Sequence, residues 1–295
     1  MFLLIQGTSR YRWAIFFALL LLAGCKDNII QPPPDENLIS IDQFPAWSPD
    51  GKWIAYYHED HENDTSYATG LYIIDTSGSN RRLLVTGYAT TPDWSPDGRL
   101  LTFSNGGTVF VMKSNGDSIR ALFGGRFQRW SPDGQSIVYT RPGTQDTVGI
   151  WVFDNESSIM HRVGYGAQPD WSPSGDRFVY AGGPSTGISE GQIWLMDTSG
   201  ANQIQLTMNS FSANRYPQWS LDGKLIVWIA LRGLKFEVWL MNTDGSNQHI
   251  LTDGHYGSFA PDSRRLVLSK INVAKTRYVL WIINVDATTI RQLTH

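Results

Sequence analysis

Past residue 37 the apolar positions fall into short runs rich in Val, Ile, Tyr, Phe and Trp, each cut by a polar turn such as Ser-Pro-Asp-Gly or Thr-Ser-Gly. This patterning predicts strands joined by tight turns. No 3.6-residue apolar period long enough for a helix occurs in that region. The pattern also repeats itself. WSPDG stands at Trp47, Trp94 and Trp130, WSPSG at Trp171, WSLDG at Trp219, and FAPDS at Phe259. Nine residues beyond each anchor comes a further apolar residue: Tyr56, Phe103, Tyr139, Tyr180, Trp228 and Leu268. A third run follows, LYIID at Leu71, VFVMK at Val109, IWVFD at Ile150, IWLMD at Ile193, VWLMN at Val238 and LWIIN at Leu280, and a fourth closes each unit, as RRLLVT does at Arg81.

Four strands per unit and six units predict an all-β fold, a six-bladed β-propeller of four-stranded antiparallel blades over residues 38–295. Nine of the twelve tryptophans fall at two repeat positions, which assigns them to the wedges between blades and not to a ligand cage. Residues 38–42 are expected either to pair with the sixth unit or to lie at its periphery.

The FPAWSPDGKWIAY stretch at Phe44 and the IWLMDTSGANQIQLT stretch at Ile193 resemble the repeats of the TolB-like propeller family. The resemblance implies an envelope protein whose propeller meets a partner. Related propellers include polyuronate lyases with a histidine-held metal in the channel, and this resemblance raises an alternative function.

The amino terminus has a different character. Arg10 and Arg12 precede a wholly apolar run at 13–22, and Ala23 and Gly24 are small. Residues 1–24 therefore read as a signal peptide, the apolar run being about half of the roughly 20 residues a spanning helix needs. Leu22-Ala23-Gly24-Cys25 resembles the lipobox of bacterial lipoproteins, which implies cleavage before Cys25 and its lipidation. Several acyl chains would hold the protein to a bilayer at about 0.8 kcal/mol per buried methylene. Lys26 lacks the aspartate that, in the enterobacterial members of that class, retains a lipoprotein at the inner membrane, so the expected location is the outer membrane, facing the periplasm or the cell surface. Residues 25–37, with three consecutive prolines, read as a tether.

Composition narrows the chemistry. Cys25 is the only cysteine, so no internal disulfide or thiolate metal site is available. The net charge of −3 falls further once Arg10 and Arg12 are removed with the signal, which disfavours nucleic acid as a partner.

Loop-length variation collects on one face, where the second-to-third loops and the passages between blades lie. Just ahead of the inner strands on that face stand Tyr88, Arg126, Tyr165, Arg215, Tyr216, His255 and Tyr256, residue types suited to a protein or glycan partner. The densest group of metal-capable side chains, His58-Glu59-Asp60-His61-Glu62-Asn63-Asp64, lies in the longest blade loop, and His58, His61 and His255 are the ligands that a metal-dependent polysaccharide lyase or hydrolase would require. Gly183-Pro184-Ser185-Thr186-Gly187 matches a nucleophile elbow in letters only, since it sits between two strands. The sequence reading is thus a monomeric, non-catalytic, lipid-anchored propeller without a cofactor, with the channel enzyme as the alternative.

Overall fold

A computed structural model describes residues 40–60, 68–143, 149–183, 191–208, 213–272, 274 and 276–295. The signal peptide, Cys25, the tether, His61 and the Pro184–Gly187 part of the elbow-like string lie outside the described residues. The described chain is a succession of 24 strands. Within every repeat the inner, second, third and outer strands pair antiparallel in that order. The inner strands are Ser40–Trp47, Thr90–Trp94, Arg126–Trp130, Ala167–Trp171, Ala213–Trp219 and His255–Phe259.

The Ser-Pro-Asp-Gly turn explains why each inner strand reverses where it does. In the first repeat the Ser48 hydroxyl donates to Asp50 Oδ1 (2.7 Å) and accepts from Trp53 N (2.9 Å), while Asp50 accepts from Lys52 N (3.0 Å). The same bonds recur around Ser95 and Asp97, Ser131 and Asp133, and Ser220 and Asp222. The glycine that ends these turns has φ between +69° and +75° in five repeats, a region costly for a residue with a Cβ. Where WSPSG replaces WSPDG, Asp176 takes over, accepting from Ser172 and Ser174.

Six apolar clusters form, each drawing on two adjacent repeats, and one of them joins the sixth repeat to the first. At their centres lie the residues nine beyond the anchors: Tyr56, Tyr139, Tyr180, Trp228 and Leu268 are wholly buried and Phe103 is 2 % exposed. Burying side chains of this kind contributes roughly 1.5–3 kcal/mol each. The fixed nine-residue offset is thus the distance that places one large group in every wedge. Gly125 and Gly166 lack a side chain because the rings of Tyr139 and Tyr180 occupy that space.

The expectation of six separate blades needs correction. Four repeats are separate four-stranded sheets, but the first and sixth share one eight-stranded sheet. Its cause is local. The outer strand of the sixth repeat, Ile290–Gln292, pairs only with Trp281–Ile283 of the third strand. The edge at Arg277 and Tyr278 is left for Ser40 and Ile41, which pair there in parallel. Of the two arrangements expected for the start of the body, the structure has the pairing with the sixth repeat.

Candidate functional site

The inner strands face the axis, and each is broken by a bulge three residues before its anchor. Phe44, Thr91, Phe127, Gln168, Tyr216 and Tyr256 occupy these positions with φ of 51°, 50°, 55°, 54°, 53° and 49°. The pairing of inner with second strand shifts register at the same points. A left-handed residue in a bulge re-aims its side chain and costs of order 1–3 kcal/mol unless its surroundings hold it. Here they do. Tyr216 N donates to Gln168 Oε1 (2.9 Å), and Gln128 Nε2 donates to the Thr91 carbonyl (2.6 Å) while its Oε1 accepts from Ser104 (2.7 Å).

All six bulge residues line one small axial cavity of about 40 Å³. Four of them are rings that crowd it: Phe44 lies 4.0 Å from Tyr256 and 6.3 Å from Tyr216, and Tyr216 is 5.6 Å from Phe127 and 4.9 Å from Tyr256, centroid to centroid. The channel is therefore narrow part-way along, with one end on each side of this ring.

At the loop-face end the structure brings together four of the seven residues expected from sequence. Arg215, Tyr216, His255 and Tyr256 border a pocket between repeats 5 and 6, floored by Ile229, Leu231 and Phe236. His255 packs on Phe236 (4.1 Å) and edge-on to Tyr278 (5.2 Å), and desolvation there pushes its pKa down to about 4, so the ring is neutral at physiological pH. Burial likewise raises the Tyr256 phenol well above its ordinary value. The other three stay apart. Tyr88 is 59 % exposed and stacks on Tyr57 (6.1 Å), Arg126 flanks Phe127 (5.7 Å), and Tyr165 lies beneath Arg162 (4.0 Å).

His58 does not join this pocket. Its Nδ1 meets Asp42 Oδ1 at 2.8 Å, both side chains being buried. Thr294 Oγ1 donates to the other carboxylate oxygen (2.5 Å) and accepts from Leu280 N (2.8 Å), Ser269 donates to the Asp42 carbonyl (2.5 Å), and Arg81 Nη2 lies 3.8 Å from Asp42. Asp42 thus ties the first strand to the last residues of the chain. Of the three histidines expected to hold a metal, His58 is buried against Asp42 through Nδ1, His255 lies in the pocket between repeats 5 and 6, and His61 is outside the described residues; among the described residues no three metal-capable side chains converge.

The turn-face end is the roomier one, a vestibule of about 350 Å³ walled by the six anchor aromatics and the turn prolines. Sequence reasoning missed its polar centre. Arg129 lies between Asp93 (Nη1 to Oδ1, 3.5 Å) and Asp170 (Nε to Oδ1, 3.6 Å). Burial outweighs the guanidinium and raises Asp93 to about 7 and Asp170 to about 6. The signal lay one residue before each anchor, where the six repeats carry Ala46, Asp93, Arg129, Asp170, Gln218 and Ser258.

These residues also stitch neighbouring repeats. Asp93 accepts from Trp130 N (2.8 Å), Asp170 from Trp219 N (2.8 Å), Gln218 from Phe259 N (3.3 Å) and Ser258 from Trp47 N (3.3 Å). Where the side chain offers no acceptor, the next indole donates to the backbone instead, Trp94 Nε1 to Ala46 O (3.1 Å) and Trp171 Nε1 to Arg129 O (3.2 Å).

The TolB beta propeller domain, as a family, matches residues 127–295. No curated protein matches the chain. Among solved structures, one assigned to TolB from Agrobacterium tumefaciens is 24 % identical with a TM-score of 0.62, over 75 % of this chain and 87 % of that one. TolB from Acinetobacter baumannii is 18 % identical with a TM-score of 0.65; the match covers 84 % of this chain but only 62 % of that one. Oligogalacturonate lyase from Vibrio parahaemolyticus is 11 % identical with a TM-score of 0.57, over 90 % and 80 % of the two chains. At these identities the likeness is one of fold.

Proposed function

Because the chain belongs to the TolB beta propeller domain family, we propose that it is a non-catalytic binding propeller of the bacterial envelope, anchored by lipid at Cys25 and presenting its loop face to a protein or glycan. In this reading the shared sheet works as two blades, making six. The outer membrane, on its periplasmic or outer side, is the expected location, and the protein acts as a monomer. The observation that carries the reading is the axial constriction: six side chains held at left-handed bulges narrow the channel to about 40 Å³, so a partner at the loop-face end meets a shallow surface, on which Tyr88 is 59 % exposed. Aromatic and arginine side chains of this kind supply contact area at low entropic cost. The channel-enzyme alternative would have to draw on a His58 that is buried and paired with Asp42 through Nδ1.

A photo-crosslinking side chain at Tyr88, 59 % exposed on the loop face, tests the proposal against one at Ile159, 62 % exposed beside an outer strand. In intact cells the position at 88 should yield a discrete adduct and the position at 159 none. Equal adducts from both positions, or none from 88, would count against a loop-face partner.

A further inference from the structure

The loop-face reading leaves the opposite end of the molecule unexplained. Two turns depart from the WSPDG consensus in ways that matter there, WSPSG at Trp171 and WSLDG at Trp219, and they belong to adjacent repeats. The structure places both on the walls of one groove of about 480 Å³, whose lining includes Ser172, Ser174, Asp176, Leu221 and Thr243. Leu221, where the five other repeats have proline, is 58 % exposed. Pro173, Trp219 and Leu221 line both this groove and the axial vestibule. A continuous cleft therefore runs from the Asp93–Arg129–Asp170 centre outward over repeats 4 and 5.

The lining selects its ligand by elimination. An anion would face Asp93 and Asp170, and a cation would face Arg129. An apolar molecule would strip water from the part of Asp93, Arg129 and Asp170 that is still exposed, 16 %, 27 % and 12 % of their side chains, and give their spare hydrogen-bonding capacity nothing in return. What suits the cleft is a neutral molecule that both donates and accepts at adjacent atoms and offers C–H surface to aromatic walls. A pyranose does this, and the vestibule falls in the roughly 300–1,000 Å³ range of small-molecule pockets. Peptide recognition runs instead through a free strand edge or a helix groove, whereas the polar groups here are side chains converging on one chamber.

We infer that the turn-face cleft binds a linear neutral glycan, with one sugar unit between Asp93, Arg129 and Asp170 and the chain leaving over Leu221. This site is distinct from the loop-face surface and stands or falls separately from it.

The test is titration of the mature protein with neutral tetrasaccharides, a β-1,4-glucan and a β-1,4-N-acetylglucosamine oligomer. Tryptophan fluorescence and calorimetry serve as readouts, with tetragalacturonate and an extended uncharged peptide as competitors. At least one neutral tetrasaccharide should bind saturably and shift the fluorescence. Arg129→Gln should weaken it about tenfold or more, the loss expected for one hydrogen bond to a charged group. Leu221→Pro restores the consensus turn at an exposed position, so its fold is secure, and it should weaken binding of the tetrasaccharide more than of the monosaccharide. Leu234→Ala, at the other end and 81 % exposed, should change nothing. Absence of saturable binding by either neutral glycan, binding of the uronate or the peptide alone, or equal loss in Leu234→Ala would overturn the inference.

Discussion

Asp93 offers the sharpest test of the electrostatics, because its carboxyl is held near pH 7 against an ordinary value of 3.8. The cause is burial, only partly offset by Arg129 and the bond from Trp130 N. Between those two pH values the folded chain binds a proton that the unfolded chain has released, so this group makes unfolding easier as pH rises. Its cost is absent below about pH 4 and complete above about pH 7. Asp170 acts in the same direction up to about pH 6, whereas His255, neutral down to about 4 against an ordinary 6.5, acts in the opposite one. A wild-type stability profile therefore mixes signs, and a difference between two proteins is needed.

Asp93→Asn supplies it. Asparagine keeps an acceptor for Trp130 N and leaves Arg129 facing Asp170 alone, which eases ionisation of Asp170 in the variant, while His255 and the groups remote from this centre cancel in the comparison. Three pH units at 1.36 kcal/mol each set an upper bound of about 4 kcal/mol, and solvent reaching the side chain, which is 16 % exposed, brings the expectation to about 2–4 kcal/mol. At about 2 °C per kcal/mol for a body of this size, the variant should melt about 4–8 °C above wild type at pH 8 and together with it at pH 4. Thermal melts of the two proteins across that range are the assay. A variant less stable than wild type at pH 8 would mean that the Arg129 pair outweighs desolvation, and a gap independent of pH would mean that ionisation of Asp93 is not linked to folding.

Three other outcomes are expected. Cys25→Ser should leave the propeller folded but move it from the membrane to the soluble fraction on cell fractionation; continued attachment would point to an uncleaved amino-terminal anchor. Thr294→Val removes both the bond to Asp42 and the acceptor for Leu280 N at constant shape, and urea denaturation should show a loss of about 1–3 kcal/mol; an unchanged midpoint would make the clasp incidental. Ser95→Ala should cost about 1 kcal/mol and let the carboxyl of Asp97, held low mainly by the Ser95 hydroxyl, rise toward its ordinary value, which side-chain NMR titration would follow.

What the sequence reveals and what it conceals divide along the range of the forces involved. The strand-turn-strand unit is legible because its chemistry is local: Ser48, Asp50 and Trp53 satisfy one another within six residues, and the second strand must then deliver Tyr56 to the wedge. The left-handed ring is nearly invisible because φ leaves no compositional trace. The one hint is a proline after four of its members, at Pro45, Pro92, Pro169 and Pro217, a residue that a fully paired strand would exclude. The Asp93–Arg129–Asp170 centre is concealed for another reason, since its members come from three separate repeats and meet only when those repeats curve round a common axis.

Pseudo-symmetry nevertheless gives a rule that links the two scales. At every junction one bond must cross from the position before an anchor to the next anchor, and the side chain at that position decides which donor is used. Asp, Gln and Ser accept from the backbone amide; Ala46 and Arg129 cannot, so the indole turns to their carbonyls. Wherever the amide is used and the next anchor is tryptophan, the indole N–H is left over, and this happens at Trp47, Trp130 and Trp219. The choice that closes the ring with side-chain acceptors therefore leaves these indoles buried without an acceptor among the described residues, so each such junction gains an amide bond and forgoes an indole one, and a single column of the repeat sets that balance.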